Sequence, residues 1–90
     1  MYENVIVNAA EARAAKAVVD SAITDLENSK EVLNSKINQF YNSNNAKWIE
    51  EFYNTEWKAF NEQQYPGLVG CLRAQSANLE AAAVAADALN

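Results

Sequence analysis

The side chains best suited to acid–base chemistry are Glu50, Glu51 and Glu56, the densest carboxylate cluster in the chain. Two carboxylates that share acid–base work must converge on one substrate atom. Neighbouring helical residues point about 100° apart, so Glu50 and Glu51 diverge. The chain also contains no His, the commonest general base and transition-metal ligand. We therefore expect these glutamates to be helix charges rather than catalytic groups.

A single thiol and one pair of closely spaced glycines are the remaining chemical candidates. Cys71 has no second cysteine to pair with in the chain, and we expect it to be a small buried hydrophobe. An intermolecular disulfide and a reactive thiol are the alternatives. The segment Gly67-Leu68-Val69-Gly70 lacks the pattern of a phosphate-binding loop. The sequence thus predicts a protein that is not an enzyme, with no catalytic residues, cofactor or metal.

Composition excludes several classes of partner. The net charge is −5, and the seven basic residues are spread along the chain without forming a stripe. Nucleic acids and anionic membrane surfaces require such a stripe, so we predict neither as a partner. The chain has no run of about eighteen apolar residues, so we predict no membrane span. Residues 1–4 do not resemble a signal peptide, so any export would follow a signal-peptide-independent route from the cytoplasm.

The first half of the chain predicts one long helix over about residues 5–40. This segment contains no Gly or Pro, and its apolar residues recur at steps of three and four, with one polar position at Lys30. The small residues Ala12, Ala15, Val18 and Ala22 extend the stripe upstream. Asn4 or Asn8 is expected to cap the start of the helix.

A polar turn over about residues 41–46 separates this arm from a second one over about 47–89. We expect Ser43, Asn44 or Asn45 to cap the second arm. That arm is aromatic at first and then carries a heptad seam, Leu68, Leu72, Gln75, Leu79, Ala82, Ala86 and Leu89. Two interpretations of the aromatic cluster stay open: it fills the interior of a hairpin, or it faces a partner.

Pro66 permits two topologies. It either kinks one continuous second arm or begins a third helix, because Pro is favoured at the first helical position. We favour the first topology, since its two arms match in length.

Two helices form one layer, and one layer cannot close a core. The sequence therefore predicts a single all-α domain over residues 1–90, an antiparallel hairpin that dimerises into a four-helix bundle. The expected partner interface comprises Val19, Ile23, Leu26, Leu33, Ile37, Phe40, Trp48, Phe52, Trp57, Phe60, Leu68, Leu72, Leu79 and Ala86.

Two arms of similar length, a short polar turn, and Trp48 just beyond it give a chain that resembles the WXG-hundred (ESAT-like) family. Family members carry Trp-x-Gly at the turn, where this chain has Trp48-Ile49-Glu50 or, in another register, Tyr41-Asn42-Ser43. The family's C-terminal Tyr-x-x-x-Asp/Glu export signal is not matched, since Ala83 stands four positions before Asp87.

The resemblance implies a non-enzymatic helical hairpin secreted by the type VII system, as a substrate or as a dimeric companion. Its partner would be itself, a related hairpin, or the helical N-terminal domain of a larger exported toxin. The alternative is an intracellular adaptor, antitoxin or chaperone-like module that binds one protein. A third interpretation is a self-contained three-helix domain pivoting at Pro66.

Overall fold

The computed structural model describes residues 8–89, which are helical except at residue 8 and residues 44–46. Helix α1 spans Ala9–Ser43, α2 spans Lys47–Phe52 and α3 spans Tyr65–Leu89. Between α2 and α3 the backbone stays helical through two π turns, Tyr53–Trp57 and Phe60–Gln64. The prediction of an all-helical chain is confirmed for the described residues; the expected start of the first arm at residue 5 lies outside them.

Helix α1 begins at a side-chain cap. The Glu11 amide donates to Asn8 Oδ1 at 3.1 Å, and the Ala12 amide donates to the Asn8 carbonyl at 3.0 Å. One of the two predicted caps, Asn8, is therefore confirmed, while Asn4 lies outside the described residues. The bond satisfies one of the amides that the first turn leaves free.

The turn is shorter than predicted, because α1 continues to Ser43. Asn44 Nδ2 donates to the Phe40 carbonyl at 2.9 Å, so this side chain closes the end of α1. The residue that precedes α2 is Ala46, whose backbone is extended and which provides no side-chain cap. The prediction that Ser43, Asn44 or Asn45 caps the second arm is therefore wrong.

Pro66 is passed without a break in the helical backbone. A proline ring clashes with the carbonyl four residues earlier in a regular α-helix, and proline has no amide to donate. Here the second π turn directly precedes it, and the Tyr65 amide reaches back five residues to the Phe60 carbonyl. A wider turn of this kind lets the helix continue past the ring and the missing amide of a proline. Pro66 does not begin a separate, loop-connected third helix.

The chain divides into two compact units. Of the described residues, 8–23 and 71–89 form the terminal unit, and 24–70 form the turn unit. In the terminal unit the two helical segments run antiparallel, because Arg13 pairs with Asp87 while Asp20 pairs with Ser76. Ala83 and Ala86 are buried there together with Ile23. The small side chains of the two alanines permit a close approach of the two helices.

In the turn unit the chain reverses at residues 44–46 and forms a helical hairpin. The phenol ring of Tyr41 stacks on that of Tyr53 with centroids 4.1 Å apart, and Lys30 Nζ lies 4.9 Å from the Tyr65 ring centroid. Lys30, the polar member of the predicted stripe, thus makes a cation–π contact. Ile49, Trp57 and Val69 are the buried apolar side chains of this unit.

The inner face of the second arm advances by steps of four through both π turns. Its members are buried or half-buried: Ile49, Tyr53, Trp57, Asn61, Tyr65 and Val69. In a regular α-helix each step of four drifts about 40° from the face, and five steps drift about 200°. The π turns hold more residues per turn and cancel that drift. They therefore keep these side chains on one face.

The apolar seams lie one residue away from several predicted positions. On the second arm the inner positions are Val69, Ser76 and Ala83, where the sequence predicted Leu68, Gln75 and Ala82. On α1, Asn34 and Tyr41 are half-buried while Leu33 and Phe40 are exposed. The predicted upstream stripe is also corrected, because Ala15, Val18 and Ala22 are exposed.

Candidate protein-binding surface

A row of apolar side chains on the turn unit faces solvent. This outer stripe comprises Val32, Leu33, Phe40, Trp48 and Leu68. Trp48 is 64% exposed, Leu33 43% and Phe40 40%. Single exposed apolar residues are common, but a group that includes a Trp and a Phe in contact is typical of an interaction surface.

Two elements build the aromatic end of the outer stripe. Phe40 lies in the last turns of α1, and Trp48 lies in the first turn of α2, directly after the reversal. Their ring centroids are 6.4 Å apart with planes tilted by 47°. The short turn therefore places one aromatic ring from each arm side by side at the end of the hairpin.

Two grooves lie beside the outer stripe, one on each side of Leu33. One of about 580 Å³ is formed by α1 alone and has the Lys36 side chain in its wall. The other, of about 140 Å³, is apolar and lies between α1 and the side chains of Phe60, Tyr65 and Leu68. Because Leu33 lines both, an apolar side chain of a partner could enter on either side of it. Lys36 offers a positive charge to a carboxylate beside such a side chain.

The core beneath the surface is small. Within residues 8–89 the buried hydrophobic residues are Ile49, Trp57 and Val69 in the turn unit, and Ile23 and two alanines, Ala83 and Ala86, in the terminal unit. Among residues 8–89, no large side chain is less than 2% exposed. A chain of this size gains limited stability from its own burial, and a partner would add to it.

The residues of the predicted interface are distributed over all burial classes. Buried are Ile23, Trp57 and Ala86; half-buried are Val19, Leu26, Ile37, Phe52, Phe60, Leu72 and Leu79; exposed are Leu33, Phe40, Trp48 and Leu68. The aromatic cluster is divided as well. Trp57 stacks on Phe60 inside the hairpin with centroids 5.4 Å apart, whereas Trp48 faces outward.

Some exposed apolar residues were absent from the predicted interface. Val32 directly precedes Leu33 and is exposed. A pattern with steps of three and four includes only one of two adjacent residues, so the predicted interface contains Leu33 and not Val32. In the terminal unit Val18, Val84 and Leu89 are also exposed. Adjacent apolar residues such as Val32 and Leu33 point to different sides of a helix. They are a sequence signal that more than one face of the helix is apolar.

Cys71 is exposed, so the expectation of a buried thiol is wrong. It lies next to Leu72, a half-buried inner residue, and one residue along an α-helix rotates a side chain by about 100°. The position of the seam therefore determines that the thiol faces outward.

The charged groups of the terminal unit form specific pairs. Asp20 accepts hydrogen bonds from Lys16 Nζ at 2.7 Å and from Ser76 Oγ at 2.6 Å. These two bonds hold the pKa of the Asp20 carboxyl below its ordinary value. Arg13 Nη2 lies 2.8 Å from Asp87 Oδ2, and this bond raises the pKa of the guanidinium.

In the part of the chain that the structure describes, no three His, Cys, Asp or Glu side chains form a group able to hold a metal ion. None of the helices formed by residues 8–89 combines the length and apolar character needed to cross a membrane.

Comparisons with known proteins give no relative for this chain. No protein-family model, curated protein or solved structure matches it, so the resemblance to the WXG-hundred family stays a prediction from sequence.

Proposed function

We propose that this chain is a non-enzymatic helical protein that works by packing its outer stripe against a helical partner. The arrangement that fits two antiparallel arms is a dimer that completes a four-helix bundle. The partner is a second copy, a related hairpin, or the helical domain of a larger protein. The observation that carries the proposal is the exposed pair Trp48 and Phe40, with the exposed Leu33 about two helical turns before Phe40 on α1.

A helical partner suits the outer stripe for a geometric reason. Leu33 and Phe40 are seven residues apart on α1, so their side chains lie close to one line along the helix. A second helix packs along such a line by placing its own side chains in the grooves beside it. The grooves on both sides of Leu33 provide that space.

Burial of the outer stripe contributes favourably to association. Fully burying one large apolar side chain is worth about 1.5–3 kcal/mol. About half of that remains to be gained at Val32, Leu33, Phe40 and Leu68, hence on the order of 1 kcal/mol each, and the larger Trp48 has more to gain. Trp and Tyr commonly dominate such interfaces, so Trp48 is the expected hot spot.

The class of protein that we propose is a type VII secretion substrate or a dimeric companion of one. Its support is the resemblance in sequence, together with the helical architecture and the exposed aromatic end of the turn unit. In this role the chain leaves the cell bound to its partner. The intracellular adaptor remains the competing role.

Equilibrium sedimentation of the purified chain tests the pairing. We expect a dimer at micromolar concentration that is weakened by Leu33→Ser combined with Trp48→Ser. Glu31→Gln, an exposed neighbour on α1 outside the outer stripe, is the matched control and should keep the dimer. A compact, stable monomer that also fails to bind co-expressed helical relatives would contradict the proposal.

Export tests the class of protein separately. The chain is expected in the culture supernatant of its host and should be lost from it when the secretion ATPase is deleted. A chain that dimerises but is retained in the cell would support the adaptor role instead.

A further inference from the structure

We infer that a polar groove on the turn unit is a second binding site, which holds an extended peptide segment by its backbone. This amide groove measures about 520 Å³. It is lined by Asn34, Asn38, Tyr53, Asn54, Trp57, Lys58, Asn61 and Glu62.

Four asparagines from both arms line the amide groove. Each amide can donate two hydrogen bonds and accept others, which is the same chemistry that a peptide backbone presents. Asn34 and Asn38 are one helical turn apart, about 6 Å along the axis of α1. In an extended peptide the groups on one edge repeat every two residues, about 6.6 Å. The spacing of the two amides on α1 therefore matches that of an extended chain.

Asn61 presents an acceptor that is not used by the protein. Its Nδ2 donates to the Trp57 carbonyl at 3.1 Å, and because a carbonyl only accepts, this contact fixes which amide atom is the oxygen. Asn61 Oδ1 is buried, and no described residue gives it a hydrogen bond. Buried polar atoms without partners are rare in proteins, because an unmade hydrogen bond is costly. A donor that reaches this atom when a ligand binds would remove that cost.

Neighbouring amides are also available. Tyr53 Oη donates to Asn38 Oδ1 at 2.5 Å, which anchors that side chain and leaves its two N–H donors for a ligand. Within residues 8–89, Asn34 and Asn54 have no hydrogen-bond partner in the chain, so both are free to bind. The groove thus offers both donors and acceptors.

The two π turns supply one wall of the amide groove. They contribute Tyr53, Asn54 and Trp57 from the first turn and Asn61 and Glu62 from the second. Turns of this kind are rare and occur frequently at functional sites. Here they keep Asn61 on the same face as Trp57, where it reaches the groove.

The chemistry of the wall favours a peptide over a sugar or a nucleic acid. Trp57 is only 8% exposed and is stacked on Phe60, so it offers no open face for a sugar ring or a base. Lys58 and Glu62 contribute charges of opposite sign, which gives no net attraction for phosphates. A neutral, polar peptide segment is the ligand that fits.

The amide groove is distinct from the outer stripe. Asn38 lies five residues after Leu33, which places it about 140° around the axis of α1. A helical partner on the outer stripe therefore leaves the groove open, and this inference does not depend on the proposed dimer.

Selection from a phage-displayed library of random twelve-residue peptides against the full chain tests the site. We expect enriched peptides which, once synthesised, bind at least tenfold more weakly to the double variant Asn34→Ala/Asn54→Ala. Asn78→Ala, an exposed amide on α3 in the terminal unit, is the control and should bind like the parent chain. Circular dichroism verifies that each variant keeps its helices.

Backbone recognition has its own readout. N-methylation of alternate amides in the selected peptide should weaken binding at least tenfold. Four results would overturn the inference: no enrichment above that on the double variant, equal affinity for both chains, indifference to N-methylation, or a glycan rather than a peptide retained by the groove.

Discussion

The two tryptophans provide the sharpest test of the division between core and surface. Trp57 is 8% exposed inside the hairpin, and Trp48 is 64% exposed at its end. Truncating a buried Trp to Ala costs about 3–5 kcal/mol, a large part of the roughly 5–13 kcal/mol expected for a chain of this length. Trp57→Ala should therefore come close to unfolding the protein.

Trp48→Ala should cost the isolated chain much less. An aromatic side chain carries about 150–250 Å² of surface, of which about a third is covered at this position. At about 25 cal/mol per Å², the loss is about 1–2 kcal/mol of stability. The remaining two thirds, about 100–170 Å², are available to a partner and are worth about 2.5–4 kcal/mol. Association should thus weaken by about 60- to 700-fold.

Urea unfolding followed by Trp fluorescence separates the two effects, since each variant keeps one Trp as a reporter. The unfolding is measured at a protein concentration below that of association, and sedimentation then gives the dissociation constant of the dimer. The reasoning is refuted if both substitutions lower the free energy of unfolding equally. It is also refuted if Trp48→Ala leaves the dissociation constant within threefold of the parent value.

Three further predictions concern other parts of the chain. Because the pKa of Asp20 is lowered by the bonds from Lys16 and Ser76, its stabilising effect is present above the unfolded pKa of about 3.9 and is lost as pH falls through the lower folded pKa. The urea midpoint of the parent should therefore fall more steeply below pH 4 than that of Asp20→Asn; parallel curves would contradict this. Pro66→Ala should keep the helices and raise the free energy of unfolding by about 1–3 kcal/mol, because Ala restores an amide donor and removes the ring. Unfolding by Pro66→Ala, seen by circular dichroism, would instead favour a three-helix domain. The Cys71 thiol should react with Ellman's reagent in the folded monomer at a rate near that of the unfolded chain, and hundredfold protection would show that it is buried.

The elements followed from local patterns in the sequence. A long stretch without Gly or Pro predicted α1, Asn8 was one of the two predicted caps, and the run of polar residues around Asn44 predicted the reversal. These features are decided by residues within one or two helical turns of one another. Local propensity and capping are sufficient to place them.

The exact inner face did not follow from the sequence. Leu68 and Val69 are adjacent and both apolar, as are Ala82 and Ala83, so the pattern fits two registers equally well. Only packing against the opposite arm selects Val69 and Ala83. The amide groove was also missed, because Asn34 and Asn61 are far apart in sequence and each alone is typical of a solvated helix surface.

From its residues alone, this protein is determined to be helical, to reverse once near its middle, and to contain no His. The tertiary structure decided which of two adjacent apolar residues turns inward, that Trp48 and Trp57 have opposite environments, and that asparagines from both arms meet. The physical reason is that helix formation depends on neighbours three or four residues away. Burial depends on which residues of the second arm face the first, and two π turns change that set of residues. A short stretch of sequence does not reveal where such turns occur.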